Sequence, residues 1–151
     1  MNIVFLTYYY PPDLSAGSFR SIALAKALSL KMKSNDMLHI ITTHPNRYKS
    51  YRVDASNVEI NDKITIHRIS VPSHKSGMFS QSLSFCIYAF YAYKLCTKLK
   101  PNFLIGTTGR LMTGVLTWVS SKRLKINYFI DLRDIFSETI SDLFSRKNKV
   151  L

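Results

Sequence analysis

The chain has 151 residues, 46% of them hydrophobic and 20% charged, enough apolar content for one domain with its own core. That composition excludes a disordered chain. A formal charge of +12 points to anionic partners, yet the basic residues form no long run and lack an aromatic–basic binding pattern, so nucleic acid is not an expected partner.

Asn2 to Tyr10 is an uncharged run of β-branched, aliphatic and aromatic residues, as a strand buried on both faces requires. Pro11 and Pro12 end it, since neither can donate to a strand ladder. From Ser18, read as the N-cap, helical spacing brings Phe19, Ile22, Ala23, Ala27 and Leu30 to one face, with Arg20, Lys31 and Lys33 away from it. The unit is strand, glycine-containing loop, helix. It aims free amides and the positive end of a helix dipole at the carboxyl edge of a sheet, where an anion or phosphate sits well. Gly17 and Ser18 are the residues whose amides would approach it. Arg20, one turn on, pairs with an anion or faces water. The loop is neither G-x-G-x-x-G nor a Walker A sequence, so neither a dinucleotide nor a P-loop site is signalled.

Met37 to Thr43 reads as a second strand, followed by a polar excursion over 46–63, and Ile64 to Val71 alternates as a third. Met78 to Tyr93 carries no charge, is shorter than the roughly 20 residues of a membrane span, and is followed by Lys94, Lys98 and Lys100. Two readings stay open: a core helix, or a helix whose Phe79 and Leu83, edged by Lys94 and Lys98, contact the surface of a membrane. Pro101 to Gly106 is a fourth strand. Thr107, Thr108 and Gly109 follow as a turn, whose groups either hydrogen-bond a ligand or simply make the turn. A helix over Arg110–Arg123 and a strand over Lys125–Asp131 complete the order. It predicts an α/β fold, a Rossmann-like parallel sheet with helices on both faces and ligands at the carboxyl ends of its strands.

Asp131, Arg133, Asp134 and Glu138 form the densest charged group in an apolar neighbourhood. Asp134 or Glu138 is placed to orient or deprotonate a hydroxyl, the alternative being an Arg–Asp pair that braces a helix start. Cys86 and Cys96 read as buried, reduced thiols, and none of the four histidines has metal-ligand spacing, so no metal site is expected. No charged region, apolar stretch and cleavage site precede the first strand, and the expected compartment is the cytoplasm.

Two stretches carry a family resemblance. Tyr9-Tyr10-Pro11-Pro12-Asp13-Leu14-Ser15-Ala16-Gly17-Ser18-Phe19-Arg20 resembles the opening of family 4 glycosyltransferases, in the branch that builds bacterial O-antigen and capsular polysaccharides with amino-sugar transferases of the fucosamine type. Phe129 to Ile140 resembles the segment after the fifth strand in that branch. The resemblance implies a retaining, metal-independent glycosyltransferase of the GT-B type. Residues 1–151 would be its N-terminal, acceptor-side domain, cut before its last strands and without the C-terminal donor-binding domain. It implies a nucleotide-sugar donor as substrate rather than any cofactor, and a saccharide or lipid-linked acceptor. The inner-membrane surface and a separate C-terminal chain are further implied partners. Asp13, Gly17, Ser18, Arg20, Thr107, Thr108, Gly109 and Arg133 would bind substrate, and Asp134 and Glu138 would serve catalysis. The other open reading is a non-catalytic membrane-surface acceptor-binding subunit or a truncated remnant.

Overall fold

A computed structural model describes residues 1–45, 54–72 and 77–133. Its elements are β1 (Asn2–Leu6), α1 (Ala16–Lys31), β2 (Met37–Thr43), β3 (Val58–Asn61), β4 (Ile64–Ile69), α2 (Met78–Leu99), β5 (Phe103–Thr107), α3 (Leu111–Leu124) and β6 (Asn127–Asp131). They form one six-stranded sheet in the order β3-β4-β2-β1-β5-β6. Every neighbouring pair is parallel except β3 with β4. The chain is therefore a Rossmann-like α/β domain, as the alternation of strand and helix patterns predicts.

The uncharged β1 lies at the centre because both of its faces are covered. Val4 and Leu6 face α2 and α3, packing with Ile41, Leu104, Phe85, Tyr88, Ala92 and Leu116. Ile3 and Phe5 face α1, packing with Leu38, Ile40, Ile105 and Ala25. Right-handed crossovers explain that split: the connection from β1 to β2 runs one way along the sheet, those through α2 and α3 the other way.

Three sequence expectations change. The cap of α1 is Ser15, whose hydroxyl accepts from the Ser18 amide at 3.1 Å, so Ser18 sits inside the first turn. The buried face of α1 is Ser18, Ser21 and Ala25, while Phe19 and Leu30 are exposed. Small side chains let this helix approach the sheet closely, and the Ser21 hydroxyl is satisfied by the Gly17 carbonyl and Thr7 Oγ1. Counting apolar residues alone weights Phe19 and Leu30 too heavily. Lastly, the excursion over 46–63 contains the edge strand β3. It turns into β4 through Asp62 in a left-handed conformation (φ 49°), which Asp tolerates better than most residues.

Candidate functional site

Strands β1 and β5 are neighbours in the sheet but lead into helices on opposite faces. Such a point leaves a crevice at the carboxyl edge of the sheet. A cavity of about 340 Å3 lies there. Tyr9, Ser15, Ala16 and Gly17 come to it from the β1–α1 loop and the start of α1, with Arg20 one turn further. Gly109 enters from the β5–α3 turn and Arg133 from beyond β6.

Arg133 holds these pieces together. Its guanidinium donates to the Gly17 carbonyl at 3.0 Å and to Ser21 Oγ at 3.1 Å. Its backbone amide donates to Thr108 Oγ1 at 2.9 Å. The two glycines leave room for it: a Cβ on Gly17 would lie 2.7 Å from Arg133 Nη1, and one on Gly109 would lie 3.2 Å from the same atom. Arg20 crosses to the end of β6, pairing with Asp131 through Nε at 2.9 Å and Nη2 at 2.6 Å. This pairing raises the already high Arg20 pKa, first through the hydrogen bond to Asp131 and then through its charge. Asp131 also lies 3.9 Å from Arg133 Nε.

A third arginine stands beside the crevice. The Arg110 guanidinium stacks 4.0 Å over the Tyr8 ring and donates to the Tyr9 hydroxyl at 3.1 Å. Tyr8 in turn packs edge-on against Tyr9 and Tyr88, so the cation rests on a rigid aromatic support. Among the described residues, two arginines on the wall stand against one carboxylate, Asp131, and the first turn of α1 has no acidic residue, so the cavity is cationic. The first-turn amides of Ala16 and Gly17 add the positive end of the helix dipole. Such an arrangement suits a phosphate or carboxylate.

The loop leading into the cavity is also anchored from β4, two strands away from β1. Arg68 on β4 is almost wholly buried and donates to the Pro11 carbonyl at 3.0 Å and the Ser56 carbonyl at 3.1 Å, while pairing with Glu59 at 2.9 Å. Burial, reinforced by the Glu59 charge, pushes the neighbouring Tyr10 phenol up to about 12. Tyr10 therefore stays neutral at physiological pH.

Of the residues expected at the site, Gly17, Arg20, Gly109 and Arg133 come together on this cavity. Ser18 does not, because it is fully buried and its amide is spent on the Ser15 cap. Thr107 and Thr108 are 1% exposed, and Thr108 Oγ1 is taken up by Arg133. Thr108 thereby braces the turn, whereas the Thr107 hydroxyl is buried with no hydrogen-bond partner among the described residues. Asp13 is buried within the turn before α1, with its amide on the Tyr10 carbonyl and its carbonyl accepting from Ser15. Asp134 and Glu138 lie outside the described residues. Sequence reasoning missed the Arg20–Asp131 pair and the roles of Ser15, Tyr9 and Arg110. One signal was available for Asp131, which has the same strand parity as Phe129 and so faces the α1 side.

Cys86 is exposed, contrary to expectation, because it lies on the outward side of α2. Cys96, on the inward side, is buried, and burial pushes its thiol up to about 12. Among the described residues there is no group of three or more metal-ligating side chains.

Fold and crevice together define the class: a doubly wound α/β domain with a cationic cavity at its topological switch point. No family model matches the chain, and no curated protein matches it. Among solved structures, the chain is similar to the C-terminal domain of a hydrogenase from Pyrococcus furiosus. The likeness has 12% identity and a TM-score of 0.57, and covers 87% of this chain and 90% of that one. At such identity the likeness is one of fold alone.

Proposed function

We propose that the chain is the N-terminal, acceptor-side half of a nucleotide-sugar-dependent glycosyltransferase of the GT-B type, acting in the cytoplasm on bacterial surface polysaccharide. One observation carries the reading. The two stretches that resemble family 4 glycosyltransferases meet in the folded chain, with Arg133 bonded to Gly17 across 116 positions of sequence. Their meeting point is cationic, and glycosyl transfer from a nucleotide sugar requires a leaving diphosphate to be neutralised. Gly17, Arg20 and Arg133 would approach that diphosphate when a donor-binding half, supplied by further sequence or by a partner chain, closes over the crevice.

A second reading has its own support. Among the described residues, the carboxylate that pairs across the crevice, Asp131, is engaged by Arg20 and is not free to act as a general base. That favours a binding subunit which lends its surface to a separate catalytic chain. Gene deletion followed by complementation tests the function. Loss or shortening of a surface polysaccharide, restored by the wild type but not by Arg133→Met, supports transfer chemistry at this crevice. An unchanged polysaccharide in the deletion strain overturns it. Co-purification of a second chain carrying the donor-binding half identifies the subunit reading.

A further inference from the structure

The layer formed by α2 and α3 has a feature that the crevice does not explain. Between Asp62 and Asp131 the sequence contains no Asp or Glu, so both helices lack acidic residues entirely. They lie on the same face of the sheet and run in the same direction, each leaving the carboxyl edge after a strand. Each also carries one outward stripe of the same design. On α2 the stripe is Phe79, Leu83, Cys86 and Phe90, continuing into Lys94; on α3 it is Leu111, Val115 and Trp118, continuing into Lys122. Both follow the spacing i, i+4, i+7, i+11, which keeps the residues on one side of a helix.

The apolar members stand in water. Phe79 is 94% exposed, Phe90 65%, Leu83 58% and Trp118 48%. A helix apolar on its outer as well as its inner side calls for a cover on both. A groove of about 1050 Å3 flanks α2 and is lined in part by Phe90, Tyr91, Lys94 and Lys98, so the apolar surface extends sideways toward β4. Among the described residues, no helix is long and apolar enough to cross a membrane.

We infer that the outer faces of α2 and α3 form one surface that docks on an anionic lipid bilayer. Charge complementarity selects this occupant: the layer bears lysines and no carboxylates, in a chain of net charge +12. A second copy of so basic a surface would be repelled by the first. Phe79, Leu83, Phe90 and Trp118 enter the headgroup region, with Trp118 at the polar–apolar boundary that indole favours. Lys94, Lys98 and Lys122, toward the other end of both helices, meet lipid phosphates. Because the apolar turns begin at the carboxyl edge of the sheet, docking brings the cationic crevice toward the lipid. The inference stands on the helices alone and does not depend on what the crevice binds.

Trp118 is the single tryptophan of the chain, so its emission reports directly on this surface. With vesicles of phosphatidylcholine containing a quarter phosphatidylglycerol, its emission shifts to shorter wavelength and is quenched by brominated acyl chains. Binding weakens about tenfold or more in Lys94→Glu with Lys98→Glu, and in Phe79→Ser with Phe90→Ser. These four side chains are partly or largely exposed, and an unchanged thermal unfolding curve shows that the variants remain folded. Emission that stays constant with such vesicles overturns the inference, as does binding of equal strength to pure phosphatidylcholine. A dimer in solution that Phe79→Ser with Phe90→Ser dissolves, in a protein that leaves vesicles unbound, also overturns it and assigns the face to self-association.

Discussion

Arg133 donates from its guanidinium to the carbonyl of Gly17 at 3.0 Å, joining the end of the described chain to the first turn of α1. The bond exists only because residue 17 has no side chain, since a Cβ there would meet the guanidinium at 2.7 Å. It continues through Ser21 to Thr7 and so to the end of β1. One arginine thus ties three loops of the carboxyl edge into a single crevice.

Exchanging these two residues separates stability from binding. In Gly17→Ala the obstructed atom is the tip of a flexible side chain, so Arg133 swings aside. The lost hydrogen bond is largely offset by the better helix preference of alanine, and stability changes by less than about 1 kcal/mol. Affinity of the crevice for inorganic pyrophosphate, measured by titration calorimetry, falls about tenfold, as it does in Arg133→Met. Equal pyrophosphate binding in the wild type and both variants would remove the crevice as an anion site.

Gly106→Ala behaves differently. A Cβ at this position, on the buried strand β5, would lie 2.0 Å from Thr117 Oγ1 and 2.8 Å from Thr117 Cβ. Thr117 is β-branched, fully buried and bonded to the Thr113 carbonyl, so it has nowhere to move. Overpacking of this kind costs about 1–3 kcal/mol, and chemical denaturation should show a loss in that range. Thr117→Ala added to Gly106→Ala should recover part of it.

Stability should also depend on pH through His39 and His67, whose rings approach at 3.2 Å between β2 and β4. Burial lowers both pKa values, and for His67 the charge of His39 lowers it further. The folded state therefore binds fewer protons than the unfolded state at mildly acid pH. The stabilisation is complete above the unfolded histidine value of about 6.5 and is lost as pH falls through the lower folded values. Melting temperature should drop between pH 7 and pH 5, and His67→Phe should flatten that dependence. A profile unchanged by the substitution would assign the acid sensitivity to other groups.

The two cysteines should react at very different rates. Cys86 faces solvent from α2, whereas Cys96 is buried with its thiol pushed up to about 12. At neutral pH a disulfide reagent should modify one thiol per chain quickly and the second only on unfolding. Tyr88 packs in the same cluster and donates to the Thr7 and Ile41 carbonyls at 3.3 and 3.0 Å. Tyr88→Phe strips both carbonyls of that donor, costs about 1–2 kcal/mol, and should speed labelling of Cys96.

The layout of the domain is legible in the amino-acid sequence because it rests on local pattern. An uncharged strand can only be central, and alternating strand and helix patterns admit few topologies other than a parallel sheet covered on both faces. Gly17, Arg20, Gly109 and Arg133 follow from that layout, since each lies next to the carboxyl end of a strand. What the sequence leaves undecided depends on distance between chain segments. Arg20 finds a carboxylate partner in Asp131, 111 positions away. Thr108 of the β5–α3 turn is taken up by Arg133, 25 positions away. The buried side of α1 is decided by how closely the sheet admits small residues, and the two outward stripes of α2 and α3 become one surface only when both helices pack on the same face. Periodicity reports which side of an element is apolar; only the packed chain decides what that side meets.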